Sequence, residues 1–298
     1  MRHVPWNHFG RKNVGFLFAI HHGAQVIYDT DDDNEINGDR DVLPHLHQSM
    51  TSLFLDLLQD ERSNDTTSLN PYPFFGASHA WPRGFPLDEV RPSTKGGMLP
   101  DVVQAEAKNV AVIQSLADHD PDVDAIYRIS SLPLPFNFPP NGDGDILALP
   151  SNDLMSPYNA QATLHFHRAF WGLILPITVH GRVSDIWRSF FSQRLFWETG
   201  DVLAFAAPWV SQFRNPHNYM ADFEAETDLY RKSAALVRYL ESTWRCNGTL
   251  TLESCLEDIY IDMYNHAILD KGDIDLVRAW IDDLQRVGYK FPARQPNI

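Results

Sequence analysis

One stretch, residues 10–34 (GRKNVGFLFAIHHGAQVIYDTDDDN), constrains the fold more than any other part of the chain. In its first half Val14, Leu17, Phe18 and His21 lie on one helical face and Phe16 and Ile20 on a second, which predicts a helix over 13–22 buried on more than one side. Gly23 is where such a helix stops. Val26, Ile27 and Tyr28 then form a short β-branched and aromatic run, suited to a buried, parallel strand between helical layers. Asp29, Asp31, Asp32 and Asp33 follow at once. In open α/β sheets ligands bind beyond the carboxyl ends of the strands, so these carboxylates stand where a ligand would arrive.

Residues two apart on an extended segment share a side, so Asp29 with Asp31, or Asp31 with Asp33, would present two carboxylates to one hard cation. Mg2+ or Mn2+ suits such oxygens, keeps positions for phosphate, and neutralises charge on a diphosphate leaving group, which is the chemistry of nucleotide-sugar transfer. Arg11 and Lys12, just before the helix, add positive charge for the same phosphates, with Asn13 beside them. The alternative is a solvated acidic loop, the commoner fate of an acidic run. An EF-hand fails on spacing: counted from Asp29, Asn34 and Arg40 fall at the glycine and glutamate positions, and counted from Asp33 the glutamate position holds Pro44. No downstream lysine or serine pattern supports an aspartyl phosphatase nucleophile.

Three segments carry a resemblance to a known family: NHFGRKNVGFLFAIHHGA with YDTDDDN, DPDVDAIYR at 120–128, and FWGLILPITVHGRVSDIWRSFFSQRLFWETG at 170–200. Together they resemble the STELLO-type glycosyltransferases, which are similar to the reversibly glycosylated polypeptides. The resemblance implies a GT-A-like α/β fold, a mixed sheet flanked by helices and lacking its first strands, over 1–222, with a helical extension over 223–298. It implies metal-dependent transfer of a sugar from a nucleotide diphosphate sugar to a glycan or protein acceptor in the Golgi lumen. Asp31, Asp32 and Asp33 then stand in place of the metal-binding DxD motif, with Mn2+ or Mg2+ as cofactor. The alternative is a non-catalytic lumenal scaffold that keeps the fold and assists assembly of a polysaccharide synthase or other partner complex, because plant members are linked to assembly of cellulose-synthesising complexes. A homo-oligomer or a membrane-protein partner fits either reading.

Along the rest of the chain, 42–60 reads as an amphipathic helix, and 61–100, rich in Ser, Asn, Pro and Gly, as a structured loop over the active face, with Trp81, Arg83 and Gly84 within reach of a sugar. VAVIQSLA is apolar enough for core. Beyond it Asp122 and Asp124 would bind a sugar hydroxyl or act as a base, or Asp124 caps a helix, while Arg128 would face the nucleotide sugar. The proline-rich 130–162 excludes a long helix. Residues 163–170 and 171–179 look strand-like. Ser184 is a candidate N-cap for DIWRSFFSQRLFWE, with Gly200 as its stop. His180 and Asp185, at the start of that helix, join Asp124 as catalytic candidates, with capping as the alternative; Arg188 and Arg194 would face carboxylates or phosphate. Residues 202–205 suit a last strand, 214–218 a turn folding over the site, and 223–244, 253–270 and 273–287 helices anchored by Trp244, Tyr264 and Trp280.

A net charge of −15 with no basic stripe argues against a nucleic-acid or anionic-membrane binder. No run approaches the 18 apolar residues of a membrane span, and the first 30 residues lack a signal-peptide layout. The two cysteines, Cys246 and Cys255, flank the sequon Asn247-Gly248-Thr249, and Asn64-Asp65-Thr66 is another. This fits a lumenal domain with one small disulfide, or equally two buried thiols. No zinc spacing, Walker loop, GxSxG elbow or internal repeat is present.

Overall fold

The computed structural model describes residues 4–38, 51–56, 67–90, 101–106, 109–131, 135–139, 146–149, 154–216 and 218–295. Helix α1 (Lys12–His21) leads into strands β1 (Val26–Thr30) and β2 (Asn34–Ile36), followed by β3 (Thr51–Asp56), β4 (Asp101–Glu106) and β5 (Val110–His119). Helix α2 (Ala125–Ser130), β6 (Ile146–Ala148) and β7 (Ala162–Phe166) come next, then a 3-10 segment His167–Leu173, α3 (Gly181–Thr199) and β8 (Val202–Gln212). Four helices close the chain: α4 (Tyr219–Ala225), α5 (Thr227–Ser242), α6 (Leu252–Asn265) and α7 (Lys271–Arg286). The result is a mixed α/β architecture consistent with a GT-A-like fold, with a helical carboxyl-terminal region.

The sheet runs β1-β7-β5-β8-β6-β3-β4, with β2 added alongside β8. β5, whose first eight residues VAVIQSLA are all buried, lies between antiparallel β7 and parallel β8. β1 pairs antiparallel with β7, so it points the same way as β5 and β8 without pairing with either. The parallel neighbour expected for β1 is thus replaced by β7, yet the carboxyl ends of β1, β5 and β8 still gather at one edge.

Pro208 explains how the acidic loop is held there. Proline cannot donate to a central ladder. The β5–β8 register accordingly slips between Ser115↔Ala206 and Ala117↔Val210, a bulge that contains Pro208. Before the bulge β8 pairs with β6, and after it with β2, where Asn34 faces Gln212. This change of partner ties the chain just after Asp33 to the end of β8.

Helix α3 is the central packing element. Trp187, Phe190, Phe191, Leu195 and Phe196 are at most 1% exposed, and α5 and α6 pack against it, so the helix is enclosed nearly all round. Its cap is His180, whose Nδ1 accepts from Arg182 N; Ser184, the expected cap, sits inside and donates to Pro176 O at 2.7 Å. Gly200 ends the helix in the left-handed region at φ 68, as expected for its stop. One hydrophobic cluster includes Phe16 of α1, Phe170, Phe190, Leu236, Ile259 and Trp280.

Several local expectations are corrected. Only one face of α1 is buried: Phe16 and Ile20 point inward, whereas Val14 and Phe18 are 39% and 66% exposed, so no described residue buries that face. Residues 51–56 form β3 between β4 and β6, so strand pairing overrides the helical pattern; 42–50 and 57–60 lie outside the described residues. Residues 167–173 form a 3-10 helix in place of strand, and β8 extends well beyond 205.

Candidate functional site

The gathered strand ends, the start of α3 and the loop before α2 enclose a cleft of about 270 Å³ lined by Phe9, Asp31, Arg83, Asp122, Gln161, His180, Gly181, Arg182, Asp185 and Arg214. The segments just after β1, β5 and β8 contribute Asp31, Asp122 and Arg214 respectively. The loop over 67–90 contributes Arg83. Gly84 permits this insertion: its φ is +84, and a Cβ there would lie 2.3 Å from Ile186 Cγ2.

Arg83 is the keystone. Its Nε and Nη2 donate to Asp122 at 2.9 and 3.0 Å, and its Nη1 and Nη2 donate to Asp185 at 3.1 and 3.0 Å. Burial alone would raise the Asp122 carboxyl, but Arg83 outweighs it and holds that carboxyl well below the usual range. Asn159 Nδ2 also donates to Asp122 at 2.6 Å, and Asp185 accepts from Ala160 N at 3.1 Å.

The acidic stretch splits into separate environments. Asp29 is 4% exposed and accepts from Lys12 Nζ at 2.9 Å, leaving its Oδ2 buried without a partner. Asp31 is half-buried in the cleft and accepts from the same ammonium at 3.1 Å; burial pushes its carboxyl up to about 6 against the pull of Lys12. Asp32 is exposed, and Asp33 accepts from Gln212 Nε2 at 3.2 and 3.3 Å. As arranged, Asp31, Asp32 and Asp33 do not converge on a divalent cation, and among the described residues no three His, Cys, Asp or Glu side chains are gathered as a metal site.

The other singled-out residues are distributed as follows. Asp124 caps α2 by accepting from Tyr127 N, and also accepts from Trp81 Nε1, each at 2.7 Å. His180 and Asp185 both line the cleft; the His180 Nδ1 accepts in the α3 cap, so its Nε2 is the nitrogen left to donate. Asn13 is fully buried and exchanges two hydrogen bonds with the Leu175 backbone, at 2.9 and 2.8 Å. Arg128 is buried against Asp120 and donates to Pro121 O at 3.0 Å. Arg188 lies beneath the site, 1% exposed, with its guanidinium 5.3 Å from the Tyr158 ring and its Nε unpartnered. Arg11 lies over Trp6, away from the cleft lining. Arg194 pairs with Glu198 at 2.9 Å, away from the cleft lining.

Sequence reasoning passes over Gln161 and Asn159, because a proline-rich connector gives no periodic signal for polar residues that turn inward. The remaining cations matter most for a ligand. Arg182 pairs with Glu226, which also caps the start of α2 through Ala125 N at 2.9 Å. Arg214 lies 3.7 Å from Asp120 and 4.0 Å from Asp122, but its Nη1 is buried with no partner. Burial, with Arg128 and Arg182 nearby, lowers its pKa, so an added anion would relieve it. Arg182, Arg214 and the amino end of the 19-residue α3 therefore make one wall of the cleft receptive to negative charge.

Residues 182–295 match a family model described as STELLO glycosyltransferases. The chain is similar to Probable glycosyltransferase STELLO2 of Arabidopsis thaliana, with 33% identity over 296 residues, 97% of this chain and 38% of that protein. It is likewise similar to Probable glycosyltransferase STELLO1 of the same plant, with 33% identity over 297 residues, 97% of this chain and 37% of that protein. The chain thus spans well under half the length of these two relatives.

Proposed function

The chain belongs to the STELLO family of glycosyltransferases, and from that premise we propose that its cleft binds a nucleotide diphosphate sugar and that the sugar passes to a glycan or protein acceptor. The observation that carries this reading is the unpartnered, buried Arg214 Nη1 in a cleft that also holds Arg182 and the start of α3. A diphosphate would supply the acceptor that Arg214 Nη1 lacks. In the transfer, the bond between the anomeric carbon and the diphosphate oxygen breaks, an acceptor hydroxyl bonds to that carbon, and its proton leaves to a base. Arg182 and Arg214 would meet the charge growing on the departing diphosphate.

Asp122 and Asp185 are committed to Arg83, which leaves Asp31 and Gln161 as the groups on the cleft wall to meet sugar or acceptor hydroxyls. His180 would donate through Nε2. No step is routed through a metal, since the expected Mn2+ or Mg2+ has no ready set of oxygens at Asp31–Asp33. The bonded pair Cys246–Cys255 supports an oxidising compartment such as the Golgi lumen. No helix among the described residues is long and apolar enough to cross a membrane.

One observation favours the second reading, a scaffold that binds without turnover: Asp124, Asp185 and the acceptor nitrogen of His180 are all engaged in structural hydrogen bonds. The two part on one assay, UDP release from a panel of UDP-sugars by the wild type, Arg214→Ala and Asp31→Ala. Release that falls at least tenfold in both variants supports transfer. Saturable binding with no release from any donor would leave the scaffold reading standing.

A further inference from the structure

Two strands end side by side at the mouth of the cleft and leave an aromatic pair open to solvent. His119 of β5 and Gln212 of β8 are the last residues they pair. His119 has a φ of 70, in the left-handed region that a residue with a Cβ rarely enters. Residues 136–137 hold it there from both sides: His119 N donates to Asn137 Oδ1 at 2.9 Å, and His119 O accepts from Phe136 N at 3.0 Å. Strain kept in place this way clusters where a side chain has to be aimed. The imidazole so aimed lies with its centroid 4.7 Å from that of the Phe213 ring, tilted by 38°. Phe213 is 49% exposed, yet its backbone is fixed, because its N–H donates to Asp33 O at 3.2 Å. Among the described residues the His119 ring makes no hydrogen bond, so it sets a free polar nitrogen beside an open aromatic face.

Position decides what such a pair can hold. Arg214, the next residue, turns into the cleft, while Gln212, the one before, accepts from Gln161 Nε2 at 2.5 Å. Through Gln212 and Asp33 the pair therefore extends the Asp31 and Gln161 side of the cleft, the side with groups to meet hydroxyls. The face of a phenyl ring is electron-rich and attracts the axial C–H groups of a pyranose whose hydroxyls are equatorial; a hydroxyl at the rim of that sugar would reach the His119 nitrogen. A net charge of −15, with Asp32 and Glu35 exposed on the adjoining segment, disfavours an anionic sugar.

We propose that Phe213 and His119 form the platform for the acceptor, and that the acceptor is a neutral glycan with a β-linked pyranose stacked on Phe213 and a hydroxyl bonded to His119. The inference rests on the nucleotide-sugar reading and narrows it: of the two acceptor classes, glycan and protein, the platform takes the glycan.

The test titrates the full chain, with and without UDP, with the β-1,4-linked tetrasaccharides of glucose and of xylose and with the tetrasaccharide of galacturonic acid, followed by saturation-transfer NMR. At least one neutral tetrasaccharide binds and the charged one does not. Phe213→Ala weakens that binding by roughly fivefold or more, Phe213→Trp does not, and His119→Asn, which tolerates the same backbone, weakens it also. Affinity that Phe213→Ala leaves unchanged, equal binding of the charged tetrasaccharide, or no binding of either neutral one overturns the proposal. A measurement on the wild type stands apart from any folding defect: saturation concentrates on the axial protons of one sugar face, and saturation spread evenly over the sugar overturns the stacking. Loss of UDP affinity in a Phe213→Ala protein that melts as the wild type does would assign the platform to the nucleoside and overturn the proposal as well. If UDP-sugars bind while the glycans ignore Phe213, only this inference falls; if a glycan binds on Phe213 while no UDP-sugar binds, the functional reading falls and the glycan site remains.

Discussion

Replacing Arg83 by methionine removes the one cation that both Asp122 and Asp185 grip, and it does so inside the protein. Arg83, Asp122 and Asp185 are 8%, 8% and 3% exposed, so the ion pairs are largely shielded from solvent. Stripping one partner from a buried ion pair typically costs about 3–5 kcal/mol, because an uncompensated charge is left behind. Two stranded carboxylates put Arg83→Met at the upper part of that range. For a chain of this length about 2 °C of Tm accompanies each kcal/mol, so the melting temperature should fall by about 8–10 °C at pH 7.5. The loss should also depend on pH. Arg83 holds the folded Asp122 carboxyl below its ordinary 3.8, so this stability is fully present above that value and lost as pH falls through the lower folded one. In the variant, burial without the guanidinium raises the same carboxyl, and protonation then relieves the stranded charge. The gap between wild type and variant should therefore narrow from pH 7.5 to pH 4.5, as read by thermal unfolding followed by circular dichroism. A Tm within 2 °C of the wild type, or a loss equal at both pH values, would refute the assignment of Arg83 as the keystone.

Other consequences follow from the same structure. Gly84→Ala should cost about 2–4 kcal/mol, from strain at φ +84 and collision with Ile186, lowering the denaturant midpoint at unchanged slope; a cost under 1 kcal/mol would contradict the packing described. Reducing Cys246–Cys255, which are 9 residues apart, should cost about 2–3 kcal/mol by freeing the unfolded loop, seen as a lower Tm in reductant that Cys246→Ser/Cys255→Ser no longer shows. Burial pushes the Asp201 carboxyl from 3.8 to about 6, so the folded protein holds a proton there that the unfolded chain releases. The stability from this group is complete below pH 3.8 and lost as pH rises through 6, by at most about 3 kcal/mol; Asp201→Asn should flatten the fall in stability over that window, and an unchanged slope would count against the shift.

The helix–glycine–strand–carboxylate order of 10–34 was legible because each step rests on local chemistry: period, stop signal, β-branched run, charge. Gly200 was legible for the same reason, as was the helical character of the tail. What local pattern does not carry is which neighbour a strand takes. β1 meets antiparallel β7, and β3 forms from TSLFLD because β4 and β6 flank it on either side. The site divides in the same manner. Asp31, His180, Asp185 and Arg83 could be named from the sequence, and they do meet at one cleft. That Asp185 would be spent on Arg83, Asn13 on Leu175 and Lys12 on two aspartates depends on contacts between residues from 17 to 162 positions apart. Gln161 and Asn159 carry no signal of their own, since their importance comes entirely from where β7 begins.

The central claim is that the arginine wall of the cleft receives the diphosphate of a nucleotide sugar. Calorimetric titration of the wild type and Arg214→Ala with UDP-sugars, followed by competition with UDP, tests it most directly. The account predicts saturable one-to-one binding, displaced by UDP and weakened at least tenfold by Arg214→Ala in a protein that melts as the wild type does. No binding of any UDP-sugar, or binding that Arg214→Ala leaves unchanged, would contradict it.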